Sequence, residues 1–102
     1  VYDNGLDDKT GESYVLNNIG LAYERLKQYD KSLLYYQKSL KLKKENNDLF
    51  GIASSTNNIG NIYYFKEEFA TAIKYWKLAL TIKEKLNDLP GISSTLGNIA
   101  QG

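Results

Sequence analysis

Asn17-Asn18-Ile19-Gly20 returns unchanged as Asn57-Asn58-Ile59-Gly60, and a third, degraded copy stands at Gly97-Asn98-Ile99-Ala100. The step is forty residues. It also carries Asp8 to Asp48 to Asp88, Gly11 to Gly51 to Gly91, Tyr23 to Tyr63, Tyr35 to Tyr75 and Leu40 to Leu80. A period of this size belongs to stacked supersecondary units rather than to one closed core.

Working outward from the repeat, each unit holds two helical stretches. In the second unit, Ile52, Thr56, Ile59 and Tyr63 recur at three- and four-residue spacing, predicting a helix from about Leu49 to Lys66. Phe69, Ala72, Ile73, Trp76, Ala79, Leu80, Ile82 and Leu86 predict another from about Phe69 to Leu86. The first unit repeats the pattern with Leu16, Ile19, Tyr23 and Leu26, then Tyr29, Leu33, Tyr36, Leu40 and Leu42. Short turns, Lys27-Gln28-Tyr29-Asp30 and Glu67-Glu68, force antiparallel neighbours, so each unit reads as a helical hairpin. Asp48 and Asp88 suit helix N-caps, and Pro90 suits a first turn, where no amide donor is needed. No alternating strand pattern competes, and the fold class is all-α.

The division that follows is residues 1–7 as the tail of a preceding unit, 8–47 and 48–87 as two units, and 88–102 as a further first helix. In this reading Asn4-Gly5-Leu6-Asp7-Asp8 is an inter-unit segment, and both ends of the chain look cut from a longer repeat protein. Ile92, Leu96 and Ile99 of the last helix would then lack a hairpin partner. Self-association through the truncated ends is the expected consequence.

Composition excludes more than it identifies. With 42% hydrophobic and 25% charged residues, the chain has the balance of a folded domain. Thirteen Lys and Arg against twelve Asp and Glu leave +1, too little net charge to favour nucleic acid or an anionic membrane. Cysteine and histidine are both absent, removing thiolate metal sites, disulfides and the commonest general base. No apolar run is long enough to span a bilayer, and no targeting pattern fixes a compartment. No serine has a histidine to activate it, so the chain is expected not to be an enzyme and to need no cofactor. Lys41-Leu42-Lys43-Lys44 reads as a solvated extension of the second helix.

Gly20 and Gly60 each cost about 1 kcal/mol inside a helix relative to alanine. Their recurrence predicts a helix crossing too close for a side chain. Ala72 and Ala79 would admit the partner helix in the same way, with Trp76 and Tyr36 filling the space between units.

The order Ile59-Gly60, Tyr63, Phe69, Ala72, Trp76 and Ala79 resembles the tetratricopeptide repeat signature. The first unit matches with Ile19-Gly20, Tyr23, Tyr29, Ser32, Tyr36 and Ser39, serine replacing both alanines. Leu16 and Thr56 stand where the signature has Trp, and Lys44 and Glu84 where a Pro ends the second helix. The usual unit has 34 residues. The extra six are expected to extend the second helix through Leu42–Glu45 and Lys83–Leu86. Longer units of this kind are similar to those of kinesin light chains, spindle-orientation adaptors and bacterial signalling proteins. The resemblance implies a right-handed superhelical solenoid of antiparallel hairpins whose first helices line a concave groove for protein or extended peptide. Carried over, the groove positions are Asn17, Leu21, Asn57, Asn61, Gly97 and Gln101, with Glu24, Arg25, Tyr64 and Phe65 further along. An asparagine amide can donate to and accept from a peptide backbone at once. Asn18, Asn58 and Asn98 have two readings: they grip the ligand, or they bridge adjacent first helices. Ser54, Ser94 and Asn98 occupy positions where cations would clamp a terminal carboxylate, which argues against that ligand class. A regulatory array within a larger bacterial signalling protein is the alternative to a peptide-binding scaffold.

Overall fold

A computed structural model describes residues 5–86 of the chain. They form four helices: α1 (Gly5–Arg25), α2 (Tyr29–Glu45), α3 (Leu49–Phe65) and α4 (Phe69–Lys85), with no strand among the described residues. Both bounds of α4 lie forty residues after those of α2, so the step seen in the sequence is the step of the structure. α1 packs on α2, α2 on α3 and α3 on α4. The architecture is an all-α helical-repeat solenoid. Both second helices run through the segments expected to absorb the additional length, to Glu45 and Lys85.

The first three helices stop without a glycine or proline. Lys27, Asn47 and Glu67 take positive φ angles of 62°, 56° and 62°. After α1, the Lys27 amide donates to the Glu24 carbonyl and the Gln28 amide to the Tyr23 carbonyl, both at 2.9 Å. This paired closure satisfies the last carbonyls of the helix and usually employs glycine at the left-handed position. Only Asn47 is a residue that tolerates that conformation readily; Lys27 and Glu67 are held there at a cost of about 1–2 kcal/mol each. Glu67→Gly is therefore expected to stabilise the fold by about 1 kcal/mol, and Asn47→Gly by much less. Urea midpoints of the two variants check this; equal shifts would remove backbone strain as the cause.

The Asp48 expectation holds: its Oδ1 accepts from the Gly51 amide at 3.0 Å. Asp88, Pro90 and the terminal stretch with Ile92, Leu96 and Ile99 lie outside the described residues. At the other end, the inter-unit reading of Gly5 to Asp8 is corrected, because these residues lie within α1 and the boundary at residue 7 falls inside a helix. Asp8, forty residues before the Asp48 cap, thus sits inside α1 rather than at a helix start. Tyr29 and Asp30 likewise belong to α2 rather than to the turn.

Antiparallel packing within the first hairpin is written in two buried hydrogen bonds. Ser32 Oγ donates to the Gly20 carbonyl and Ser39 Oγ to the Ser13 carbonyl, each at 2.7 Å. Residue numbers thus fall on α1 as they rise on α2. The serines at the signature's alanine positions thereby tie two backbones, whereas Ala72 and Ala79 in the second hairpin only pack. The close crossing is confirmed. A Cβ on Gly20 would stand 2.7 Å from Tyr36 Cδ1, and one on Gly60 2.6 Å from Trp76 Cδ1 and 3.2 Å from the Ala72 carbonyl oxygen.

Between the hairpins the core is Leu33 and Tyr36 of α2 against Ile59 and Ile62 of α3, with Tyr29, Leu40, Tyr63 and Tyr75 half-buried around them. Tyr36 therefore serves both its hairpin and the seam. Trp76 contacts Gly60, Asn61 and Tyr64 of its own hairpin; the unit that would follow it lies outside the described residues. Leu26 and Phe69 also depart from the expected apolar stripes, being 64% and 43% exposed at the hairpin tips. Two tyrosine stacks repeat at the forty-residue step, Tyr23 on Tyr35 at 5.6 Å and Tyr63 on Tyr75 at 5.5 Å.

The largest correction concerns Lys43, expected on a solvated face and found 2% exposed. Its Nζ donates to Ser55 Oγ of α3 at 3.0 Å and lies 5.2 Å from the centre of the Tyr14 ring of α1. Burial lowers its pKa, with the Asp48 carboxylate opposing. Its methylene stem runs where a side chain on Gly51 would point, Cδ being 2.7 Å from that Cβ position. One lysine thus joins α1, α2 and α3.

Candidate functional site

The first helices carry the expected groove positions as a stripe. On α3, Asn57, Asn61, Tyr64 and Phe65 are spaced by four, three and one residues, one face of a helix. On α1, Asn17, Leu21, Glu24 and Arg25 occupy the same places forty residues earlier. All eight are half-exposed or exposed. Gly97 and Gln101 lie outside the described residues.

Asn58 Nδ2 donates to Asn17 Oδ1 at 3.3 Å, so the asparagine rows do bridge neighbouring first helices. The bridge pairs Asn58 with Asn17, not with Asn18, which faces solvent. Glu24 accepts from the Tyr36 hydroxyl at 2.8 Å, and Asn61 Oδ1 accepts from Trp76 Nε1 at 3.0 Å. In both hairpins, then, the large aromatic of the second helix reaches through and fixes a polar residue of the first. Burial, reinforced by the Glu24 carboxylate, pushes the Tyr36 hydroxyl well above its ordinary pKa.

Aromatic rings close one end of the stripe. Phe65 stacks on Tyr29 of the preceding unit at 5.7 Å, and Tyr64 meets Phe65, Phe69 and Trp76 at 6.1, 5.4 and 5.6 Å. Lys66 and Asp30 form an ion pair across the two hairpin tips at 2.6 Å, and the hydrogen bond to Asp30 raises the Lys66 pKa. Such an exposed pair adds little stability. A recess of about 390 Å³ opens beside it, bounded by Lys27, Tyr29, Lys31 and Lys66 among others.

Sequence reasoning did not assign Tyr29 or Trp76 to this surface. Trp76 was findable, because a buried indole N–H requires an acceptor and the first helix offers asparagines at the right height. Tyr29 was not, because its stacking partner comes from the next unit.

Among the described residues, no cluster of three or more acidic side chains is placed to hold a metal ion. No described helix is long and apolar enough to cross a membrane.

One tetratricopeptide repeat model matches residues 13–46 and a second matches residues 52–88. The chain belongs to the tetratricopeptide repeat family. Tetratricopeptide repeats are usually protein-interaction modules, generally bind proteins or peptides, and are typically non-catalytic. A 35-residue stretch is 51% identical to the uncharacterized protein ycf37 of Guillardia theta, covering 34% of this chain and 20% of that protein. The chain thus matches about a fifth of that relative's length.

Proposed function

We propose that this chain is a scaffold module that takes an extended segment of a partner protein along the stripe formed by α1 and α3. Asn57, Asn61, Tyr64 and Phe65 form its centre, continued by Asn17, Leu21, Glu24 and Arg25. The observation that carries the reading is the Asn58–Asn17 bridge. It ties the first helices side by side while the neighbouring polar and aromatic positions stay open to solvent. A row of amides ending in exposed aromatic rings offers hydrogen bonds for a backbone and apolar surface for a side chain.

The test is selection of peptides from a displayed random library, followed by calorimetry of a recovered peptide on the full chain. The double variant Asn57→Ala, Phe65→Ser is expected to bind it about tenfold more weakly or worse. Helicity by circular dichroism should stay unchanged. Equal affinity in parent and variant would take this stripe out of the binding site.

A further inference from the structure

We propose that the segment held in this groove is proline-rich, an extended chain bringing backbone carbonyls and few backbone N–H groups. The inference rests on the peptide-groove reading above and adds the chemistry of the ligand. An indole N–H can only donate. Asn61 must therefore turn its oxygen to Trp76 Nε1, 3.0 Å away, and its NH2 group the other way, toward the half-exposed face of α3. Asn17 uses its oxygen to accept from Asn58 at 3.3 Å, which again leaves the NH2 group outward. On the α1 stripe the Glu24 carboxylate accepts from the Tyr36 hydroxyl through Oε1, so part of its acceptor capacity is turned inward. Asn17 and Asn61 thus present donors to a ligand.

An ordinary extended peptide carries one N–H for every carbonyl. Laid on donors, its N–H groups would lose water and gain no partner. Proline removes the mismatch, since it keeps the carbonyl and has no N–H. A proline-rich chain is also extended before it binds, so little ordering is required. The second half of the recognition is the ring surface at the end of the stripe. Phe65 is 45% exposed and backed by Tyr29 and Tyr64. Pyrrolidine rings dock on aromatic grooves of this sort.

The experiment titrates acetyl-decaproline-amide into the full chain by calorimetry. Two comparison probes are a neutral proline-free peptide of equal length and an acidic peptide with a free C-terminal carboxylate. Decaproline is expected to bind best. The variant Asn17→Asp, Asn61→Asp keeps both oxygens that accept from Asn58 and Trp76 and loses the outward donors. It should bind decaproline about tenfold more weakly or worse, with its circular dichroism spectrum unchanged. Preference for the proline-free or acidic probe overturns the proline assignment and leaves the groove standing. Decaproline binding that the double variant does not weaken overturns it as well, by placing the contact elsewhere. If no probe and no library peptide binds, the groove reading falls with it.

Discussion

Trp76→Ala is expected to destabilise the chain by about 3–5 kcal/mol, the range for emptying a buried aromatic site. A small domain has only about 5–15 kcal/mol in total. Trp76 is 2% exposed, and its ring edge fills the space left by Gly60. The same contact read from the other side predicts that Gly60→Leu costs about 1–3 kcal/mol or more, because the ring and the Ala72 carbonyl leave no room. Neither neighbour is the free end of a flexible side chain. The two variants together should lose less than the sum of their separate losses, since leucine at 60 occupies part of the hole left by the indole. Urea unfolding of the parent, both single variants and the double variant closes the cycle. Strict additivity, or a Gly60→Leu chain as stable as the parent, would show that the two positions do not share this space.

Tyr36 yields the second large effect. Tyr36→Ala should again cost about 3–5 kcal/mol, because the ring is fully buried and serves both the hairpin and the seam. Tyr36→Phe keeps the ring and removes only the hydrogen bond to Glu24, at about 1.5 kcal/mol. The hydroxyl also predicts a pH dependence. Its folded pKa lies above the ordinary value of 10.0, through burial first and the Glu24 hydrogen bond second. The folded state therefore keeps a proton that the unfolded chain releases. Tyr36 contributes its full stabilisation below pH 10.0, and that contribution declines as the pH rises further. Lys43 and Tyr63 titrate alike in parent and variant, so the difference between them isolates Tyr36. Midpoints measured on both sides of pH 10.0 should fall faster for the parent than for Tyr36→Phe. Parallel curves would mean that the phenol is not protected in the folded chain.

Much of the fold was legible because the information is periodic. The bounds expected for α3 and α4, the cap at Asp48 and the tight crossings at Gly20 and Gly60 follow from local patterns that each unit repeats. What stayed hidden lies in side chains that reach between elements. Leu26 and Phe69 fit the helical period, yet they stand at hairpin tips where the partner helix has already turned away. Lys43 sits in a run of lysines that differ in character only through what α1 and α3 bring against them. The site divides along the same line. The stripe positions could be placed on one face from spacing alone, whereas the orientation of Asn61 is set by an indole fifteen residues away. Asn18 and Asn58 are equivalent by sequence, and only the geometry of the neighbouring helix separates them.

Lys43 also bears on the order in which units can be joined. An ammonium inside an otherwise apolar seam tolerates only a neighbour that answers it, and Ser55 of α3 is that answer. Forty residues earlier the same place on α1 is Val15, which has no group to offer. A helix bearing a lysine at that height would leave its charge stranded against valine, so α1 and α3 are not interchangeable acceptors. Forty residues later the sequence again sets a lysine, Lys83, twelve residues before a hydroxyl-bearing residue, Thr95. Two hairpins that look alike as shapes are thus distinguishable as neighbours, by single polar atoms at the joint between them.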